Sequence, residues 1–383
     1  MSVTAARGFR AAGIAAGIKQ NGSRDLALVV NDGPGSAAAG VFTANRVQAA
    51  PVQWSRRVLA DGSVRAVVLN SGGANACTGP RGLADTRATA ERTAGRLGLD
   101  VSQVAVCSTG LIGVPLPMDR LLTGIEDAAG RLSGDGGEDA ARAVMTTDTV
   151  HKTAAVTKDG WTVGGMAKGA GMLAPGLATM LVVLTTDADV DVRALDRALR
   201  AATRVTFDRV DSDGCMSTND TVLLLASGAA GVAPGYEEFA DAVRAVCADL
   251  ARQLIGDAEG AAKEIRVEVV GAASEDDAVE VGRSIARNNL LKCAVHGEDP
   301  NWGRVLSAVG TTSAAFAPDR LSVAINDVWV CKDGSVGEDR ALVDMTGREV
   351  RITVDLAEGA DHAVVWTNDL TADYVHENSE YSS

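Results

Sequence analysis

Short apolar runs bounded by turn-forming residues recur along the first half of the chain. Residues 26–30 (LALVV), 38–43 (AAGVFT) and 65–70 (RAVVLN) have the length and composition of β-strands. From about residue 83 to 97, charged residues fall on one side of a helical wheel and Ala and Leu on the other, which predicts a helix. Strand-like and helix-like segments continue to alternate towards the C-terminus. This alternation predicts an α/β fold with layered sheets and helices.

The same patterns place further elements along the chain. Predicted strands lie at 104–106, 152–157, 161–167, 180–184, 221–227 and 264–270, and predicted helices at about 118–132, up to 144, 192–203, 236–255 and 274–287. The chain has 383 residues, more than the roughly 250 to 300 at which single cores stop growing, so two lobes are expected.

The stretch Lys168–Thr186 (KGAGMLAPGLATMLVVLTT) joins a Gly-rich loop containing Pro175 to an apolar run. A backbone of this composition is able to hold the peptide before Thr179 in a strained conformation. Attack of the Thr179 hydroxyl on the Ala178 carbonyl would turn the amide into an ester, and hydrolysis would leave Thr179 as a new N-terminus. Its α-amine, with a reference pKa of roughly 8, would then serve as a base beside its own hydroxyl. Composition alone favours the plainer interpretation, a Gly-rich turn leading into a buried core strand.

A second candidate feature follows the predicted strand at 104–106. Thr109 and Gly110 stand where that strand ends. A hydroxyl beside a glycine amide offers two hydrogen-bond donors to a developing oxyanion. The alternative is an ordinary Ser-Thr-Gly turn.

Composition narrows the function further. Apolar residues make up 46% of the chain and aromatic residues 3%, and the net charge is -14, which argues against nucleic acid as a partner. The N-terminus has no signal-peptide pattern and no stretch is long enough to cross a membrane, so a cytoplasmic protein is expected. The six scattered cysteines predict reduced thiols in or near the core, and the four histidines show no metal-ligand spacing, so no metal is expected.

Several ordered motifs resemble one known family. They are GFRAAGIAAGIK, RAVVLNSGGANACTG, CSTGLIG, MTTDT, WTVGGMAKGAGMLAPGLATML, FDRVDSDGCMSTNDT and EDPNWGR. Together they run almost the whole length of the chain and resemble the ArgJ family of ornithine acetyltransferases, also called glutamate N-acetyltransferases, of arginine biosynthesis. The resemblance implies a layered α+β sandwich like that of N-terminal-nucleophile hydrolases, of the ArgJ/DmpA type shared with certain aminopeptidases.

The resemblance also implies self-processing and a reaction. Cleavage between Ala178 and Thr179 would give an α chain of residues 1–178 and a β chain of residues 179–383, assembled as two of each. The enzyme would move an acetyl group from N2-acetyl-L-ornithine to L-glutamate by a ping-pong mechanism through an acetyl-Thr179 ester. No cofactor is implied, although acetyl-CoA is an alternative acetyl donor in some members of this family.

Site residues carry over from the resemblance position by position. Thr179 would be the nucleophile, and Thr109 and Gly110 the oxyanion hole. The implied substrate contacts are Thr146, Lys168, Thr179, Glu259, Asn378 and Ser383, the last standing where the family commonly has threonine. Lys168 would bind a carboxylate and Glu259 an ammonium group. The alternatives are a surface position for Lys168 and a helical ion pair between Glu259 and Lys263.

Three other functions compete with this hypothesis. A self-processing amidohydrolase or aminopeptidase would use the same Thr179 with water as acceptor. A nucleotide-binding oxidoreductase is suggested by Gly169-Ala-Gly171-Met-Leu-Ala174, which imitates G-x-G-x-x-A, but Pro175 and the strand that follows contradict the helix that this fingerprint needs. A non-catalytic ligand-binding or scaffold protein would leave Thr179 inert.

Overall fold

The structure of this chain is a computed structural model that describes residues 2–174 and 180–380. These residues form two compact units, as the chain length predicts. The first unit comprises the described residues within Met1–Asp208 and Cys215–Asp257, and the second those within Arg209–Gly214 and Ala258–Ser382. Ala178, Thr179 and Ser383 lie outside the described residues, so the roles assigned to them stay predictions.

The first unit contains two sheets and the helices that cover them. Its strands are β1 (Phe9–Ile14), β2 (Leu26–Asn31), β3 (Ala37–Phe42), β4 (Ala66–Ser71), β5 (Val104–Thr109), β6 (Lys152–Lys158), β7 (Trp161–Lys168), β8 (Leu181–Thr186) and β9 (Thr221–Ala226). Its helices are α1 (Ala50–Val58), α2 (Gly79–Leu97), α3 (Met118–Gly130), α4 (Gly137–Ala143), α5 (Val192–Val205) and α6 (Tyr236–Gly256). One sheet has the order β1-β2-β4-β5 and the other β3-β9-β8-β7-β6.

The two sheets of this unit pack face to face. Val67 and Leu69 of β4 share a buried core with Met166 of β7 and Val183 of β8. On its other face the first sheet packs against α2 and α3, while α5 and α6 cover the outer face of the second sheet. The result is a layered α/β sandwich, which confirms the predicted fold class.

Burial on both faces explains the continuous apolar runs in the sequence. Along β4, Val67 and Leu69 point between the sheets, whereas Val68 points towards the α2 and α3 layer. All six residues of β4, β5, β8 and β9 are buried. A strand of this kind has no polar face, so alternation of polar and apolar residues is lost.

The second unit has one sheet with helices on one face. Its elements are β10 (Glu264–Ala272), α7 (Glu275–Ala286), α8 (Asn289–His296), α9 (Trp302–Val309), β11 (Ser322–Ile325), β12 (Val328–Lys332), β13 (Ser335–Val336), β14 (Glu349–Asp355), β15 (Asp361–Asn368) and α10 (Ala372–Glu380). The strand order is β13-β12-β11-β14-β10-β15, and β10 runs parallel to β14. Buried residues alternate with partly exposed ones along β10, and the buried ones face a core that includes Val281 and Ile285 of α7.

Most predicted elements of the first unit are confirmed, while one alternative considered for the second unit is wrong. In the second unit, α9 begins at Trp302 inside the polar sequence 297–304, where the Asn301 side chain accepts the Arg304 N–H at 3.3 Å. The helical pair of Glu259 with Lys263 does not form. Gly260 adopts a positive φ of 62°, and Lys263 Nζ donates instead to Glu298 Oε1 at 2.8 Å.

No disulfide joins the six cysteines, all of which are among the described residues, and they do not all lie in the core. Cys77, Cys215 and Cys293 are exposed, and the other three, Cys107, Cys247 and Cys331, are buried. The expectation that all six would lie in or near the core is therefore wrong for the exposed three, and their reduced state stays a prediction.

We expect native protein to be alkylated at Cys77, Cys215 and Cys293 and to be protected at the buried three. Burial excludes the reagent and raises the pKa of the Cys107 thiol to about 12, so little reactive thiolate is present. Alkylation with iodoacetamide followed by peptide mass spectrometry, before and after unfolding in guanidinium, measures both sets. Labelling of Cys107 in the native state at the rate seen for Cys77 would contradict this packing.

No helix in the described ranges is both long and apolar enough to cross a membrane.

Candidate active site

A buried lysine and a threonine meet where the two sheets of the first unit end. Lys168 is the last residue of β7 and Thr109 the last residue of β5. Lys168 Nζ lies 3.4 Å from Thr109 Oγ1, and only 1% of Lys168 is exposed. The alternative that Lys168 is a surface lysine is therefore wrong. Burying a charge is costly unless polar or charged partners surround it, so the Lys168 ammonium group is placed to interact with groups inside the protein.

The Lys168 contact orients the Thr109 hydroxyl. An ammonium group is only a donor, so Thr109 Oγ1 accepts from Lys168, and its own O–H remains available for another acceptor. Within the described residues, the N–H of the adjacent Gly110 has no backbone acceptor. Thr109 and Gly110 thus present two neighbouring donors, the arrangement that the sequence suggested for an oxyanion.

Glycine is required at position 110 for two reasons. Its φ is 125°, a conformation that L-residues with side chains rarely adopt, and a Cβ atom there would lie 2.5 Å from the Gly73 nitrogen. Gly73 N–H donates to the Thr109 carbonyl at 2.9 Å, and Asn219 Nδ2 donates to the Ser108 carbonyl at 2.8 Å. The end of β5 is therefore held by two other loops, and the turn cannot rotate freely.

Asp148 organises the charges behind Lys168. Its Oδ1 accepts the Gly169 N–H at 2.6 Å and Lys152 Nζ at 2.7 Å, and its Oδ2 accepts the Thr146 N–H at 2.9 Å. Lys152 is fully buried, and its Nζ also donates to Asp257 Oδ2 at 2.6 Å. Predicted substrate residues Thr146 and Lys168 are thus connected through one carboxylate.

The pKa values of this cluster follow from opposing effects. Burial tends to raise the pKa of Asp148, but the charges of Lys168 and Lys152 and the hydrogen bonds outweigh burial and lower it to about 2. Burial lowers the pKa of Lys19, and the charge of Lys168 adds to this, although Asp25 and Asp148 oppose the shift. Asp148 is therefore ionised at neutral pH, and two lysines lie close enough to repel each other.

A second buried carboxyl lies beside the start of β8. Asp220 is fully buried, and its Oδ1 accepts the N–H of Met180, the residue after Thr179, at 3.1 Å. Burial raises the pKa of Asp220 well above its usual value, even though the Met180 hydrogen bond and the charge of Lys168 oppose the shift. Asp220 therefore fixes the main chain directly after the predicted nucleophile, in surroundings that favour its uncharged form.

The second unit contains two further predicted substrate residues. Asn378 of α10 donates through Nδ2 to Glu259 Oε2 at 2.9 Å and to the Tyr374 carbonyl at 3.0 Å. Thr371 Oγ1 donates to the Gly260 carbonyl at 2.7 Å, which attaches the start of α10 to the loop that carries Glu259. The structure therefore brings Glu259 and Asn378 together within their unit.

The charges around Lys168 were not predicted from the sequence. Asp148 lies between a predicted helix and the predicted strand that begins at Lys152, and Asp220 directly precedes a strand. These positions are a usable signal, since binding and catalytic residues often lie on loops that adjoin the strands of a rigid scaffold. No group of three or more His, Cys, Asp or Glu in the described ranges is arranged to hold a metal ion.

A model of the ArgJ family matches residues 10–383. The chain belongs to the ArgJ family. The resemblance drawn from the motifs is thereby confirmed. The ArgJ relatives include proteins of Streptomyces coelicolor and Streptomyces avermitilis, both named arginine biosynthesis bifunctional protein ArgJ. They are 76% and 77% identical over 383 residues and cover 100% of both chains.

One solved structure similar to this ArgJ chain is the ornithine acetyltransferase of Mycobacterium tuberculosis, in complex with ornithine. It is 58% identical, and the match covers 47% of this chain and 96% of that chain with a TM-score of 0.45.

Proposed function

We propose that this ArgJ protein is a self-processing acetyltransferase that moves an acetyl group from N2-acetyl-L-ornithine to L-glutamate. Family membership and the names of the Streptomyces relatives support a role in arginine biosynthesis. The observation that carries the proposal is the contact of buried Lys168 with Thr109. In the pairing of β7 with β8, Lys168 lies opposite Leu181, two residues after Thr179.

Processing comes first in the proposed mechanism. The Thr179 hydroxyl attacks the Ala178 carbonyl carbon, the peptide C–N bond breaks, and the acyl group moves from nitrogen to oxygen. Water then hydrolyses the ester and releases an α chain of residues 1–178. The β chain of residues 179–383 begins with a free amine that accepts the proton of its own hydroxyl.

Acetyl transfer then uses the same hydroxyl twice. Thr179 Oγ attacks the acetyl carbonyl of N-acetylornithine, and the oxyanion accepts hydrogen bonds from the Thr109 hydroxyl and the Gly110 N–H. The C–N bond breaks, ornithine leaves with a proton on its amine, and an acetyl ester remains. The amine of glutamate attacks this ester, forms N-acetylglutamate and restores the Thr179 hydroxyl. Acetyl-CoA, as an alternative donor, would acylate the same atom.

Substrate recognition follows from the charges. Lys168 supplies a buried positive charge for a substrate carboxylate, and Glu259, held by Asn378, supplies a negative charge for an ammonium group. N-acetylornithine and glutamate share an amino-acid core, so one set of groups suits both. Thr146 and Ser383 complete the predicted contacts, and an assembly of two α and two β chains remains part of the proposal.

Ornithine release with and without glutamate tests this function. We expect purified enzyme given N-acetylornithine alone to release about one equivalent of ornithine per site and then stop, because the acetyl ester waits for an amine. Adding glutamate should give continuous release with matching N-acetylglutamate. Labelled ornithine should exchange into N-acetylornithine without glutamate, as a ping-pong mechanism requires.

An amidohydrolase gives a different result in the same assay. It would release ornithine and acetate continuously without glutamate, and glutamate would not be acetylated. That outcome would replace the transferase proposal.

A further inference from the structure

Asp148 connects two chain segments that carry predicted substrate contacts: its own segment, with Thr146, and the segment with Lys168. Its two oxygens accept the N–H of Thr146 and the N–H of Gly169, which directly follows Lys168. These hydrogen bonds join segments that belong to different parts of the first unit. A change at Asp148 therefore alters the relative positions of Thr146 and Lys168 even though neither residue is replaced.

The charges that act on Lys168 come from several segments. Asp148, Lys19 and Asp220 all interact with it electrostatically. Lys19 is repulsive, and burial raises the pKa of Asp220 well above its usual value, which favours the uncharged form of that carboxyl. Asp148, whose pKa is lowered to about 2, supplies negative charge that offsets the repulsion between the two lysines.

Asp148 is itself held in place by a second ion pair. Lys152 Nζ bridges Asp148 Oδ1 at 2.7 Å and Asp257 Oδ2 at 2.6 Å, and the side chains of Lys152 and Asp148 are fully buried. Buried charges are costly unless they are paired, and here the ion pairs offset that cost. Apolar side chains would fill the same space without it, so packing alone does not explain this cluster. Asp257 also stands two residues before Glu259 in the chain.

We propose that Asp148, supported by Lys152 and Asp257, is a positioning residue that holds the Lys168 ammonium and the Thr146 main chain together for binding a substrate carboxylate. This inference rests on the proposed acetyl-transfer function and deepens it. Asp148 itself does not contact substrate in this proposal. It determines how strongly the site distinguishes a donor with a carboxylate from one without.

The test compares two acetyl donors on the same enzyme preparation. N-acetylputrescine is N-acetylornithine without the carboxylate. We expect wild type to prefer N-acetylornithine strongly in kcat/KM, and Asp148→Asn to reduce that preference by roughly ten- to a hundredfold. Because the preference is a ratio within one preparation, a lower fraction of folded enzyme does not change it. The KM for N-acetylornithine should rise more than kcat falls.

Asp187→Asn is the matched control. Asp187 is also buried, and it accepts the Thr162 N–H at 2.7 Å, the Arg7 N–H at 3.1 Å and the Arg7 guanidinium at 3.2 Å. It lies by the opposite end of β7 from Lys168. Asp187→Asn should lower the melting temperature and leave the donor preference unchanged. Asp148→Glu, which keeps the charge, should retain more of the preference than Asp148→Asn.

Each outcome decides between the possibilities. An unchanged donor preference in Asp148→Asn overturns the inference. Failure of both Asp148 variants to fold while Asp187→Asn folds also overturns it, because Asp148 would then serve stability alone. If wild type transfers acetyl from neither donor, the proposed function itself fails. Self-cleavage of the variants, measured by intact mass, reports folding independently of donor binding.

Discussion

Thr179→Ala is expected to yield one full-length chain with no measurable acetyl transfer. The native sequence is expected to yield two fragments, residues 1–178 and residues 179–383. The hydroxyl is the proposed nucleophile for both reactions, and no other group on alanine replaces it. Removing a nucleophilic hydroxyl elsewhere has lowered kcat on the order of 10⁶-fold. Intact mass spectrometry measures the cleavage, and ornithine release in the presence of glutamate measures the transfer.

Two further variants make this result specific. Thr179→Ser keeps a hydroxyl and should cleave and transfer at a reduced rate. Thr185 of β8 has a different buried hydroxyl, which donates to the Val3 carbonyl at 2.8 Å. The Thr185→Val variant lacks this hydroxyl and should still cleave normally. An intact Thr179→Ala chain that still exchanges acetyl at the native rate would eliminate Thr179 as the carrier.

Thr109→Val should lower kcat about 10²- to 10³-fold with little change in KM. Valine has nearly the shape of threonine but cannot donate a hydrogen bond, and loss of one oxyanion donor typically costs about 3 to 4 kcal/mol of transition-state stabilisation. The substrate carbonyl carries little negative charge before attack, so binding should change less than catalysis. Steady-state kinetics with both N-acetylornithine and glutamate separate the two parameters.

The Thr109→Ser variant is the control for that effect. Serine keeps the hydroxyl beside Lys168 Nζ, which lies 3.4 Å from the threonine oxygen, so most activity should remain. If Thr109→Val raises KM and leaves kcat unchanged, Thr109 binds the ground state and the oxyanion assignment is wrong.

Several features of this chain were predictable because they depend on neighbouring residues. The apolar runs of β2, β4, β8 and β9 are continuous because both faces of those strands are buried, and their ends coincide with turn-forming residues. The family was evident from ordered motifs, and the family match confirms it. The same motifs placed Thr109 and Gly110 at the end of a buried strand, as the structure has them.

Features that depend on distant residues were not predictable. The sequence 259–263 has the spacing of a helical ion pair, but Gly260 turns the chain and α10 packs on that loop, so Lys263 binds Glu298 instead. The helix that begins at Trp302 follows polar residues, and although its Asn301 cap is local, the packing of α9 against α7 is a tertiary contact.

By itself, the sequence determined the alternation of strands and helices, the family, and the residue types available for acyl transfer, since local patterns and motifs record these directly. Only the tertiary structure decided that Lys168 is buried against Thr109 and that Asp148 joins Lys168 to Thr146. The physical reason is that the contact of Lys168 with Thr109 requires one sheet to stack on another, and the contacts of Asp148 require the loop before β6 to fold against the end of β7. Charges that are far apart in the chain then share an interior from which water is excluded, and their interaction becomes strong.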